Sequence, residues 1–278
     1  MYNTFPADHR LSPYIECYWQ WRVTPCEPVY EMILPDAAPE FIVHLGTPPE
    51  IMMASSKWQK QPQADLYSAA KRCLQLRISE SMDLFAIRFR PWGVSRFSDW
   101  PMSELLDHCV SPATSFGKLG ELLVRSVTES KGEQQRIEAL NTTLLEALDS
   151  QGHNHDVIDA LITTVGDAGQ SIHNLSKALS RSSRTINRIW QKLVGISPRS
   201  YAKLMRFHAS LALINAGKPL AWVANECGFA DQSHMARQIK EIAGLSPSGL
   251  RGWLGDQVYQ EIYLRRPSAP WVEYPGGR

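Results

Sequence analysis

Two rhythms of apolar and polar positions divide the chain. From about residue 10 to 100, apolar residues fall in short runs rich in aromatic and β-branched side chains. CYWQWRV (17–23), EFIVHLG (40–46) and LFAIRFR (84–90) predict strands. In the last, Leu84, Ala86, Ile87 and Phe89 are set against Arg88 and Arg90. Pro35-Asp36, Thr47-Pro48-Pro49 and Pro91-Trp92-Gly93 read as the turns between strands. A small β-rich domain follows, a sandwich or a barrel.

After Pro101 the period lengthens. Helices are predicted over 103–109, 115–128 and 133–149. In the third, Ile137, Leu140, Leu144, Leu145 and Leu148 form one stripe, which serves either a core or a dimer face. Gln151-Gly152-His153-Asn154 reads as a break, and 155–251 as helices joined by short turns. The fold class is α+β. A β-rich, barrel-like domain covers 1–150, with helices at 103–149; an all-α domain covers 155–252; a tail of 253–278 follows.

The all-α segment repeats itself at an offset of 49 residues. Ser182 matches Asp231, Arg188 matches Arg237, Gly195 matches Gly244, and Ser197-Pro198 matches Ser246-Pro247. Apolar positions follow the same offset: Ile186 with Met235, Trp190 with Ile239, Leu193 with Ile242, Ile196 with Leu245. Shared caps and core positions make two copies of one supersecondary unit. Each copy reads helix, tight turn, helix.

In the first unit, HNLSKALS (173–180) precedes a helix capped by Ser182, whose hydroxyl accepts a bond from a first-turn amide. Ile186, Ile189, Trp190 and Leu193 form its buried stripe, and Arg184, Thr185 and Arg188 lie on another face. In the second, LAWVANECGF (220–229) turns at Gly228 into a helix capped by Asp231. Met235, Ile239 and Ile242 face inward, and Gln232, Ser233, His234 and Arg237 stay near the exposed front. A helix-turn-helix offers the front of its second helix to base edges in the major groove. Arg suits guanine and Gln suits adenine there, each making two bonds to one base.

Between the copies, Ser197 caps and Pro198 opens a helix that ends at Gly217. At 1.5 Å per residue it is a rod of roughly 27 Å. That length sets two reading helices near one DNA turn apart, about 34 Å. Lys192, Arg199, Lys203, Arg206 and Lys240 are the candidate phosphate contacts.

Charge sharpens this picture. Residues 1–169 hold 14 basic and 22 acidic residues, residues 170–252 hold 12 and 3, and the tail holds 3 of each. An acidic front joined to a compact basic segment points the latter at a polyanion. MYNTFPADHR lacks the pattern of a secretory signal, and no apolar run approaches the roughly 20 residues that span a bilayer. A cytoplasmic location without membrane attachment is the expectation. The five cysteines form no CxxC pair, which speaks against a disulfide framework or an ordinary zinc site.

On these residues, segment 170–251 resembles the DNA-binding domain of the AraC/XylS family of bacterial regulators. VANECGFADQSHMARQIKEIAGLSP carries the most specific part of the match. The resemblance implies two helix-turn-helix units on a linking helix, entering successive major grooves of double-stranded DNA. It implies base reading by Arg184, Thr185 and Arg188 in the first unit and by Gln232, Ser233, His234 and Arg237 in the second. The family has aromatic residues where Met235 and Ile239 stand, and Gln238 occupies the place of Ile189. The front, through ILPDAAPEFIVHLG and FAIRFRPWG, resembles the barrel-like sensor of such regulators. That implies a small-molecule effector, and it admits a homodimer and RNA polymerase as further partners.

Trp19, Trp21, Arg88, Arg90 and Trp92 could line a pocket for an anionic or planar ligand, or could be packing. An inward Arg88 needs an anionic partner, either Glu40 or a ligand. His44, His108, His153 and His155 show no tight His-x-His pair on a strand, so no metal is expected. No cofactor and no catalytic residue is expected either. Two enzymatic alternatives stay beside the regulator reading. One is a β-barrel enzyme with a DNA-binding tail. The other is alkylation repair, whose Pro-Cys-His motif is missing; His108-Cys109-Val110 reverses its order.

Overall fold

A computed structural model describes residues 1–52, 56–68, 73–106, 108–150, 180 and 182–254. The fold is α+β. Among the described residues nine strands form two antiparallel sheets: β1 (Tyr2–Phe5), β2 (Ile15–Val23), β3 (Val29–Ile33), β4 (Glu40–His44), β5 (Glu50–Met52), β6 (Trp58–Lys60), β7 (Ala64–Tyr67), β8 (Leu74–Ile78) and β9 (Met82–Phe89). The five-stranded sheet runs β1-β2-β9-β4-β7, and the four-stranded sheet runs β3-β8-β5-β6.

Strand alternation sends the side chains of the larger sheet to two different cores. Cys17, Trp19, Trp21, Ile42, Leu84 and Ala86 pack toward Ile51, Leu76 and Ile78 of the smaller sheet. Tyr18, Phe41, Val43, Phe85, Ile87 and Phe89 pack under helices on the opposite face. The larger sheet is therefore a middle layer. β9 is buried on both faces from Leu84 to Phe89, so Arg88 has no solvent side to take.

The helices over the sheet are α1 (Pro112–Phe116), α2 (Lys118–Thr128) and α3 (Glu133–Ser150). Two sequence expectations need correction. The helix expected over 103–109 is only a short 3-10 turn, Met102–Glu104. Beyond it the chain pairs with the sheet edge, Leu106 with Ser68 and Val110 with Leu66. Backbone pairing with an open strand edge wins there over local helix formation. The helix expected over 115–128 is broken at Gly117, which adopts φ +57°. The break folds α1 back on α2, bringing Pro112 so near Gly120 that a Cβ there would lie 2.1 Å from its carbonyl oxygen.

The stripe on α3 belongs to the core. Leu140 and Leu144 are fully buried, and Ile137, Leu145 and Leu148 pack beside them. Tyr18 reaches across to donate to Asn141 at 2.8 Å. That stripe is spent within the chain, and a dimer would need another face. The expected linker at 151–154 and the helix at 173–179 lie outside the described residues, as does the tail beyond Leu254.

The C-terminal helices are α4 (Ser183–Val194), α5 (Pro198–Asn215), α6 (Leu220–Glu226), α7 (Gln232–Ala243) and α8 (Pro247–Leu254). They close on one apolar core that also takes in Leu34, Ala37, Trp92 and Leu106 from the front. Polar contacts line the same joint. Ser95 donates to the Leu193 carbonyl at 3.1 Å, and the His208 ring nitrogen lies 2.8 Å from the Pro35 carbonyl.

Candidate nucleic-acid interface

The local chemistry of each recognition helix follows from its sequence. Ser182 accepts from the Thr185 amide to open α4, and Asp231 accepts from the His234 amide at 2.6 Å to open α7. Caps of this kind contribute roughly 1 kcal/mol each. Ile186, Trp190 and Val194 seat α4, while Met235, Gln238, Ile239, Ile242 and Ala243 seat α7. Ile189 and Leu193, expected in the buried stripe of α4, are half-buried. Gly195 ends α4 at φ +87°, against the front domain; a Cβ there would lie 2.6 Å from the Met102 carbonyl oxygen. Only glycine serves both the turn and the approach.

The seven proposed base readers are not equivalent. Arg184, Arg188, Gln232, Ser233 and Arg237 are exposed on the fronts of their helices. Thr185 is half-buried and its hydroxyl shares a hydrogen bond with the Ser182 cap. His234 is half-buried too: Nδ1 accepts from the Ala230 amide at 3.3 Å, and the ring lies edge-on to Phe229. These two serve the local fold as well as the front. In the second unit Gly228 stands at φ +69° in the turn between α6 and α7.

The phosphate candidates also divide. Lys192, Arg199 and Lys240 are exposed. Lys203 and Arg206 are half-buried on the linking helix α5 and have partners in the second unit. Lys203 Nζ pairs with Glu241 at 2.6 Å, and the Arg206 guanidinium lies over the Phe229 ring at 5.6 Å. Sequence reasoning missed the use of Gln238. It is buried, and its amide donates to the Lys203 carbonyl at 3.1 Å.

The ligand candidates in the front do not converge on one site. Trp19 and Trp21 lie in the core between the sheets, whereas Trp92 sits in the interdomain core and donates to the Pro13 carbonyl at 3.0 Å. Arg88 does find Glu40, at 2.8 Å, and it also binds Glu16 at 3.0 Å and Asp36. The three carboxylates hold its guanidinium charged in spite of burial. Its fork is occupied by the protein, which corrects the expectation of a ligand on Arg88 and Glu40. Arg90 donates to the Ser12 carbonyl.

His44 and Asp65 are further buried titratable groups in the front. His44 is 1% exposed, neither ring nitrogen has a partner, and burial pushes its pKa down to about 4. Asp65, on the neighbouring strand, is pushed up to about 6 by burial, with the Cys109 thiol opposing. His108 is exposed, while His153 and His155 lie outside the described residues. Burial and the Asp65 carboxylate push the Cys109 thiol above its ordinary value, the reverse of an activated nucleophile.

This geometry defines a class: a helical domain with two capped, arginine-bearing helices, one of them in a complete helix-turn-helix, behind a β-sandwich. A family described as a helix-turn-helix domain matches residues 175–252, and one described as a domain of unknown function, DUF6597, matches residues 3–111. The arabinose operon regulatory protein of Escherichia coli (strain K12) is 25% identical over 157 residues, which are 56% of this chain and 53% of that protein. Its namesake in Salmonella typhimurium is 27% identical over 150 residues, 54% and 52%. The chain carries a helix-turn-helix domain at residues 175–252 behind an N-terminal domain that matches DUF6597. It spans about half the length of the curated relatives it matches. Among solved structures, ToxT from Vibrio cholerae gives a TM-score of 0.42 at 12% identity, covering 86% of this chain and 98% of that one. Wild-type ToxT with bound unsaturated fatty acid gives 0.38 at 11% identity, covering 82% and 92%. Likeness at those scores is loose.

Proposed function

We propose that the chain is a sequence-specific DNA-binding transcription regulator. In this reading α4 and α7 enter successive major grooves of one duplex. Arg184, Thr185 and Arg188 read one sub-site, and Gln232, Ser233, His234 and Arg237 read the other. Lys192, Arg199, Lys203, Arg206 and Lys240 contact phosphates, which supply affinity with little sequence information. The observation that carries the proposal is how the front domain holds the reading domain. It grips C-terminal ends, at Leu193 and Gly195 of the first unit and at Ala243 of the second, where the Cys73 thiol reaches the carbonyl at 3.5 Å. Both arginine-bearing fronts are left exposed. Enrichment of bound fragments from random duplexes tests it. The expected product is a site of two sub-elements about one helical turn apart; recovery of unrelated fragments would overturn it.

The front domain, taken as 1–150, is proposed to respond to a small molecule. Support comes from orphaned polar atoms between the sheets: both His44 ring nitrogens and the Trp19 indole nitrogen. Buried groups of this kind ask for a partner that the protein does not supply. A thermal-shift screen of metabolites should find a compound whose effect is lost in His44→Phe; a compound acting equally on both proteins would count against this site. The role needs no catalytic residue. No described helix is long and apolar enough to cross a membrane, and the regulator reading places the chain in the cytoplasm. Pairing of two copies and contact with RNA polymerase belong to the same reading. Leu122 of α2 and Trp222 of α6 are large apolar side chains left exposed on helices for such contacts. Sedimentation of the protein with and without duplex checks the pairing.

A further inference from the structure

The two recognition helices share one apolar core with the linking helix but differ in the polar contacts that hold them to it. α4 meets α5 through ring packing, Trp190 against Tyr201 at 5.3 Å. Among the described residues no side-chain hydrogen bond joins these two helices. α7 shares the same apolar core with α5 and adds directed polar contacts concentrated on one residue. The backbone carbonyl of Lys203 accepts from the Gln238 amide at 3.1 Å, and the Lys203 ammonium pairs with Glu241 at 2.6 Å. One turn further along α5, Arg206 covers Phe229 and donates weakly to the Gly228 carbonyl at 3.5 Å. Under the 49-residue offset, Gln238 and Glu241 correspond to Ile189 and Lys192, neither of which can reproduce this clamp.

We infer that Gln238 is a positioning residue for DNA recognition. It locks the second reading helix to the linking helix and thereby fixes the distance and rotation between the two sub-sites. The inference rests on the DNA-reading role proposed above. Its physical basis is the difference between the two joints. Apolar contact resists separation but tolerates sliding, because it has no preferred direction. A hydrogen bond from a buried amide to a fixed carbonyl weakens steeply with misalignment. The exposed Lys203–Glu241 pair contributes little on its own, as surface ion pairs do. The carbonyl of Lys203 already accepts within its helix and uses its second lone pair for Gln238.

The test uses the full chain and its selected duplex, together with duplexes carrying one base pair more or fewer between the sub-elements. Gln238→Met keeps the volume and shape of the side chain and removes the donor. Its thermal midpoint is compared with the parent, and Gln238→Ala supplies a second variant should Met fail to fold. The parent should prefer the selected spacing. In a folded variant that preference should shrink by about two- to tenfold, the equivalent of one net hydrogen bond. Glu241→Gln, which removes only the surface pair, should retain it. Undiminished spacing preference in a folded Gln238 variant would overturn the inference, as would an equal loss of affinity on all three duplexes. A parent that binds its selected site with no spacing preference would overturn it while leaving the DNA-reading role standing. A parent that binds no duplex specifically would remove both.

Discussion

The front and the C-terminal domain handle charge in opposite ways. The sandwich draws Arg88, Asp65 and His44 into its interior. The helix-turn-helix domain keeps Arg184, Arg188, Lys192, Arg199, Arg237 and Lys240 on its surface, and among the described residues its buried polar side chains are the uncharged Ser210 and Gln238. Layering explains the difference. A sheet covered on both faces leaves a charged residue nowhere to go, so its partners must be folded in around it. A recognition helix of 12 residues rests on one stripe and keeps its other faces in water. Charge in the front is therefore spent on holding the fold, and charge in the back is available to a polyanion.

Substitutions in the front should cost stability, and matched substitutions in the back should cost binding. The largest effect is expected at Arg88. Arg88→Met leaves Glu16, Asp36 and Glu40 uncompensated in a buried site. Urea unfolding should show a loss of about 3–5 kcal/mol. A loss under 1 kcal/mol would mean that the knot is not a structural centre.

The next largest effect concerns pH. His44 titrates lower when folded than when unfolded, so its contribution to stability is present above the unfolded value and is lost as pH falls from about 6.5 to 4. Asp65 titrates higher when folded, so its contribution is present below the unfolded value and is lost as pH rises from 3.8 to about 6. The two slopes oppose one another across the same window. His44→Gln should uncover stability that falls, relative to the parent, between pH 4 and 6. Asp65→Asn should uncover the opposite trend. Each difference amounts to at most about 3 kcal/mol. Parallel pH profiles for parent and both variants would refute the opposition.

In the back, Arg188→Ala and Arg237→Ala should each cost about 1–3 kcal/mol of binding to the selected site, with the thermal midpoint held. Unchanged affinity on a gel-shift titration would remove either residue from the reading set. The smallest effect is expected at Lys192. Lys192→Ala should weaken all duplexes alike and reduce the slope of log affinity against log salt by about 1. A sequence-dependent loss would move Lys192 from phosphate to base contact.

Much of the reading domain was legible from the chain. Ser182 and Asp231 cap the helices that the repeat assigns them, and Met235, Ile239 and Ile242 lie buried as their spacing requires. Caps and amphipathic stripes are encoded within one or two helical turns, so local sequence carries them. The front yielded its strands but neither its layering nor its partners. Gly117 splits a helix that periodicity alone reads as continuous, and 103–109 gives up its helical pattern to pair with a sheet edge.

The sequence by itself determined that two matched units, each capped and amphipathic, carry arginine-bearing fronts, and that an acidic β-rich segment precedes them. Only tertiary structure decided that Arg88 gathers three carboxylates, that Lys203 pairs with Glu241 and Arg206 covers Phe229, and that Gln238 bonds the linking helix. Those contacts join residues 35 to 72 positions apart, except Arg206 with Phe229. No local periodicity records which distant group a buried polar side chain will meet, because that choice is made when the layers close.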